Sequence, residues 1–217
     1  MSELMADLYD AIGTLASAAH ANGDEIDENT YPSDQNNTRH GLDVFADGHY
    51  VMFRAVPDEP RFTIGCPYTF VSRLRSQYTA DELAERADVD FVSLPSEQQE
   101  QVIDQTIQTD LQLAEEHEAE FKTAVTDKLG PGSPDVIRLE YGEQNRWNGV
   151  LVRDRVFPHR AEFGHPEYRE AIDQIRQTKM TIAELLTSTV PPLNDDDDPT
   201  VPSATQTKED ARPIGFQ

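Results

Sequence analysis

Apolar and polar residues alternate in two separated stretches, and helical spacing fills the sequence between and around them. That pattern confines the chain to strands layered against helices. His49 to Val56 sets Val51, Phe53 and Ala55 on one face and Tyr50, Met52 and Arg54 on the other. Gly41 to Asp47 alternates more weakly and runs into Asp47-Gly48, a dipeptide suited to a two-residue hairpin turn. Beyond the turn-forming Pro57-Asp58-Glu59-Pro60, Arg61 to Gly65 places Phe62 and Ile64 inward. These three segments predict an antiparallel meander. Val136 to Tyr141 and Val150 to Phe157, with Asn148-Gly149 closing the loop between them, predict a hairpin.

Helical spacing begins at once, with Leu4, Leu8, Ile12, Leu15 and Ala19 over residues 2–21, Ser2 as N-cap and Gly23 as terminator. Residues 22–40 are polar and aperiodic and predict a loop. One or two short helices are expected over Val71–Gln77 and Ala80–Ala87, the latter capped by Thr79. Ser96 and Gln99 resemble a capping box that opens one long helix to Leu129, its stripe interrupted at Glu118 and stopped by Gly130-Pro131-Gly132. A last helix starts at His165-Pro166-Glu167 and buries Tyr168, Ile172, Ile175, Ile182, Leu185 and Leu186, with Lys179 reaching for water.

The expected fold is α+β, a mainly antiparallel five-stranded sheet of meander plus hairpin with helices packed on it, in the order α-β-β-β-α-β-β-α. Residues 1–190 form the single domain. Residues 191–217, with the Asp195–Asp198 run and five prolines, form a disordered acidic tail. This order of elements over residues 2–190 resembles the type III secretion chaperone and YbjN-like α/β fold. The resemblance implies a homodimer without enzymatic activity that binds another protein; it carries no diagnostic motif and therefore no functional residue.

Charge restricts the setting. Acidic residues number 41 against 18 basic ones, a formal charge of −23, and the basic set is 14 Arg to 4 Lys. Anionic, lysine-poor chains resemble cytosolic proteins of salt-accumulating archaea, whose carboxylates hold water and cations while molar salt screens their repulsion over about 3 Å. A halophilic, cytoplasmic protein, cellular or from a virus or plasmid, is expected. The N-terminus lacks the basic and apolar regions of a secretory signal, and no apolar run is long enough to cross a membrane. Arginine concentrates in residues 48–76 and 136–161, both net +2, which are the predicted strands. Those arginines either pair with helical acids or form a basic face for a partner. A regulator using that face on nucleic acid is the weaker alternative, because concentrated salt opposes phosphate binding.

Few residues offer chemistry. The lone Cys66 excludes an internal disulfide, and a Cys66 nucleophile served by His40 or His49 competes with a buried, inert thiol. His159, Glu162 and His165 supply the donors of a three-ligand metal site and define the alternative reading, a metal-dependent enzyme. Against it, Pro158, Gly164 and Pro166 deny them a shared helix, leaving His165 as a helix cap. Gly130-Pro131-Gly132-Ser133 follows a helix instead of leading from a strand into one, so it is no phosphate loop. Arg146-Trp147-Asn148-Gly149 puts the single Trp at a hairpin tip, either exposed for contact or folded onto the sheet. The expected protein-binding residues are Arg146, Trp147, Arg153 and Arg155. No cofactor is expected, the partner is an unidentified protein, and Pro213 to Gln217 is a second candidate contact.

Overall fold

The computed structural model describes residues 3–27, 41–55, 61–142 and 145–193, with the side chains of the first helix from Asp10 onward. Six helices and six strands alternate as α1 (Glu3–Asn22), β1 (Glu25–Ile26), β2 (Gly41–Ala46), β3 (His49–Ala55), β4 (Phe62–Thr69), α2 (Phe70–Gln77), α3 (Ala80–Ala87), α4 (Ser96–Glu116), α5 (Glu118–Lys128), β5 (Asp135–Tyr141), β6 (Arg146–Val156) and α6 (His165–Thr189). Two short 3₁₀ turns, Phe91–Ser93 and Pro191–Leu193, complete the described elements. The strands form one antiparallel open sheet in the order β1-β2-β3-β4-β6-β5.

The α+β class holds, but the sheet has six strands and not five, and the middle of the chain holds four helices between β4 and β5. The extra strand is β1, where Glu25 pairs with Phe45 and Ile26 with Val44 inside the stretch read as loop. Two residues are too few to show alternation, so nothing in the sequence marks it. Residues 28–40 of that expected loop, the Pro57–Pro60 turn and the tail beyond Leu193 lie outside the described residues.

Three boundaries differ for local reasons. The long helix breaks at His117, and Glu115 and Glu118 on either side of the break both reach Arg138. Ser96 does not cap α4: Pro95 precedes the first turn, and the Gln99 amide instead donates to the carbonyls of Phe91 and Leu94. Asn148-Gly149 lies within β6 and not in the loop, which runs from Gly142 to Asn145, both with positive φ. By contrast, Asp47 and Gly48 have the positive φ values of a primed hairpin turn, and Thr79 forms the expected capping box with Glu82.

Side-chain parity splits the sheet into two unlike faces. Leu42, Val44, Val51, Phe53, Phe62, Ile64, Cys66, Val150 and Val152 point to the helices and join one core with Leu15 of α1, Leu111 of α4, Phe121 of α5 and Ile172, Ile175, Ile182 and Leu186 of α6. Phe53 stacks on Tyr168 at 5.7 Å. The core continues past α6 through Val190 to Leu193, both fully buried, so the fold reaches beyond the residue 190 boundary. No helix of the described residues is long and apolar enough to cross a membrane.

Two glycines test this packing in opposite directions. Gly149 has φ +147°, and a Cβ there would meet the Tyr68 carbonyl oxygen at 2.0 Å. Gly149→Ala is expected to destabilise by about 3 kcal/mol in urea unfolding. Gly13 lies mid-helix with no atom near its missing Cβ, so Gly13→Ala is expected to stabilise by up to about 1 kcal/mol.

Candidate functional site

The second face of the sheet has a different composition. Its small apolar cluster, Tyr50 and Met52 with Phe45 and Leu151, contains strand residues only, so no described helix contributes to it. Register places the residues of this face in ranks. Thr63 stands opposite Arg54 on one side and Arg155 on the other. In the next rank Gly65 stands between Met52 and Arg153, and Arg153 faces Asp135. In the third, Leu151 stands between Pro67 and Ile137. The half of the face built by β4, β6 and β5 therefore presents an apolar pair, Leu151 and Ile137, bordered by Arg153 and Arg155.

Those arginines are bound to different degrees. Arg153 pairs with Asp135 at 3.2 Å, both side chains being largely exposed, so the pair is weak. Arg155 is exposed and forms no ion pair among the described residues. On the β2–β3 half, Asp43 is buried, accepts from the Tyr50 hydroxyl and pairs with Arg54, so charge there is internally satisfied.

The other two expected contact residues are structural. Trp147 is 1% exposed and not at an exposed tip. Its ring meets Phe70 at 4.8 Å and Phe121 at 5.4 Å, and its indole N–H donates to the Gly149 carbonyl at 2.8 Å. Arg146 pairs with Glu115 at 2.7 Å, and the same carboxylate accepts from Trp147 N and Arg138. Burial alone would raise the Glu115 pKa, but its bonds from Arg146, Trp147 N and Arg138 hold it below the usual range. Paired with helical acids, these two arginines tie the β5–β6 hairpin to α4 and α5.

The metal-ligand set does not assemble. The His159 ring packs 6.2 Å from Phe62, while His165 Nε2 sits 3.1 Å from Asn22 Oδ1, and Glu162 is exposed. Among the described residues no three His, Cys, Asp or Glu side chains could hold a metal ion. His165 does not cap α6 by its side chain; Glu167 does so by accepting from Gly164 N at 3.0 Å. A shallow groove of about 680 Å³ runs along the outer side of α6, lined by Arg169, Glu170, Asp173 and Gln177 among others, with no converging donors of one kind.

Cys66 is fully buried, its thiol donates to the Tyr50 carbonyl at 3.2 Å, and burial pushes its pKa up, the opposite of an activated nucleophile. Lys179 does not reach for water: it is 5% exposed, and its charge opposes, without overcoming, the upward push of burial on the Cys66 thiol. The +3 and +4 steps linking it to Ile172, Ile175, Ile182 and Leu186 place it on the buried stripe, a signal available in the sequence. Likewise Leu151 shares strand parity with Arg153 and Arg155, which marks it as their neighbour on the open face.

His49 is half-buried near Lys179 and Arg176, and burial followed by those two charges lowers its pKa from 6.5 to about 4. The unfolded chain therefore binds this proton first, so the stabilisation from a neutral His49 is complete above pH 6.5 and is lost as pH falls towards 4. His49→Gln is expected to flatten the stability–pH curve in that window by on the order of 1 kcal/mol, allowing for partial exposure. In the same denaturant assay Glu115→Ala is expected to cost about 1 to 3 kcal/mol at neutral pH, since it removes an acceptor shared by Arg146, Arg138 and the Trp147 N–H. No family model matches the chain, nor does any curated protein or solved structure.

Proposed function

We propose that this chain is a non-enzymatic protein-binding module that docks a partner on the sheet face turned away from the described helices, along β4, β6 and β5. The observation that supports it most is the half-buried apolar pair Leu151 and Ile137, bordered by Arg153 and the exposed Arg155, with the buried Tyr50 and Met52 behind them on the same face. The occupant proposed is a partner segment that carries carboxylates next to apolar side chains, matching the local positive charge on an otherwise anionic protein. Arg146 and Trp147 belong to the proposal as the framework that holds the hairpin in place.

The setting proposed is the salt-rich cytoplasm of a halophilic archaeon, with a chaperone-like or adaptor role. Acid excess and lysine scarcity support the first part, and the resemblance in element order the second. A homodimer is proposed at the sheet edge. Among the described residues β5 is an outer strand paired only with β6, and an antiparallel register centred on Leu139 would set Arg138 across from the partner subunit's Glu140.

The test is a binding measurement in molar KCl with the wild-type chain and the pair Arg153→Glu, Arg155→Glu. A stoichiometric partner recovered with the wild type should lose at least about tenfold in affinity with the variant, about 1.4 kcal/mol, at an unchanged melting temperature. Lys122→Glu, on α5, should bind as the wild type does. Equal binding by wild type and the double variant would reject the face. The melting temperature itself should rise steadily from dilute buffer to molar KCl; a flat response would reject the halophilic setting.

A further inference from the structure

We propose that residues 209–216 of this same chain dock on the Leu151–Arg155 face and mask it until a partner displaces them, a regulation that rests on the docking reading above. That reading asks for carboxylates next to apolar side chains. Residues 209–216 supply Glu209 and Asp210 followed by Ile214 and Phe216, whereas Asp195–Asp198 has charge without an apolar side chain. Spacing agrees as well. Arg155 and Leu151 share one face of β6 four positions apart, about 13 Å. Asp210 and Ile214 are also four apart, so an extended segment brings Asp210 to Arg155 as Ile214 meets Leu151. Phe216, on the same side of that segment, extends the apolar contact beside Ile137. Arg212 comes level with the Arg153–Asp135 pair, where the largely exposed Asp135 carboxylate can accept a second guanidinium.

The point of departure is fixed. Leu193 is fully buried and its carbonyl accepts from Arg73 at 3.1 Å, so the chain leaves the fold at a defined place. Glu209 lies 16 positions further on, a span of up to about 55 Å. A fold of this length has a radius of gyration of only about 16 Å. Tethering then makes a weak contact sufficient. An effective concentration on the order of 1 mM, set against a Kd of about 0.1 mM for the detached segment, masks the face about tenfold. A partner that binds more tightly than that displaces the segment, and a weaker one is refused.

The experiment titrates a fluorescent peptide of residues 207–217 with the full chain in molar KCl, read by anisotropy. Two full-length proteins are compared, the wild type and the double variant Ile214→Ser, Phe216→Ser. The variant should bind the peptide about tenfold more tightly, because its own segment no longer competes. Adding Arg155→Glu to that variant should remove most of the gain, at an unchanged melting temperature. Equal affinity for wild type and double variant would overturn the masking and leave the face intact as a docking site. Binding indifferent to Arg155→Glu would instead reject the face, and with it the reading on which the masking rests. Masking that strengthens as protein concentration rises would assign the segment to a second copy and overturn the intramolecular contact. No measurable binding by either protein would also overturn the proposal, while recovery of a partner through Arg153 and Arg155 would still test the face by itself.

Discussion

Burial of one sheet face under α6 is the interaction on which the other packing depends. Tyr168, Ile172, Ile175, Ile182 and Leu186 are all essentially inaccessible, and each such side chain contributes about 1.5 to 3 kcal/mol of apolar burial. Their counterparts come from every strand between β2 and β6, so α6 is the layer that makes the sheet a core and not a bare surface. Its N-terminal turn is tied to the end of α1: the Tyr168 hydroxyl donates to Asp24 at 2.8 Å, and His165 meets Asn22. Burial, then the Asp24 contact, push the Tyr168 pKa up, so this tie stays a neutral donor across the physiological range. α1 and α5 then pack against α6, and the meander and hairpin are joined by the same helix that covers them.

Arginine predominates over lysine for a reason visible in the ion pairs, separate from any salt adaptation. Arg138 spans Glu115 and Glu118, Arg75 spans Glu100 and Asp104, and Arg86 sends one nitrogen to both oxygens of the buried Asp110. Each joins a carboxylate of α4, or of the α4–α5 break, to another element. A guanidinium bridges two acceptors in fixed geometry, whereas an ammonium offers a point charge. Screening by concentrated salt weakens distant repulsion among the carboxylates but leaves these short, directional bonds largely in place. The arginine preference therefore follows from the seams between elements, which use the cation able to hold two carboxylates at once.

Much of this was legible because period and parity are local properties. The alternation in β3 named the buried Val51 and Phe53, the Thr79 cap fixed the start of α3, and Pro166 marked the first turn of α6. What escaped depends on tertiary context. β1 exists because β2 offers Glu25 and Ile26 a partner edge, a condition no two-residue string reveals. The break at His117 was half-visible as a Glu118 on an apolar stripe, but its meaning required Arg138 from a strand. Trp147 was read correctly only in its alternative form, since the chain around Asn148-Gly149 looks like a turn and is a strand irregularity. There Asn148 accepts from Val71 N and Gly149 lies too close to Tyr68 for any side chain.

The same parity that buries Val150 and Val152 turns Leu151, Arg153 and Arg155 the other way, and this bears on how a one-sided sheet survives in solution. An uncovered sheet face that were wholly apolar would pair with any similar surface. Here the apolar width is limited to Leu151, Ile137 and their neighbours, the smallest residue, Gly65, sits beside Arg153, and two guanidinium groups must be desolvated or matched before anything lies flat on the face. An anionic copy of the chain could satisfy that charge only with its own carboxylates, which in β5 and β6 are few and already engaged, as Asp135 is with Arg153. On the docking reading proposed above, selectivity would follow from the requirement for complementary charge next to a small apolar contact.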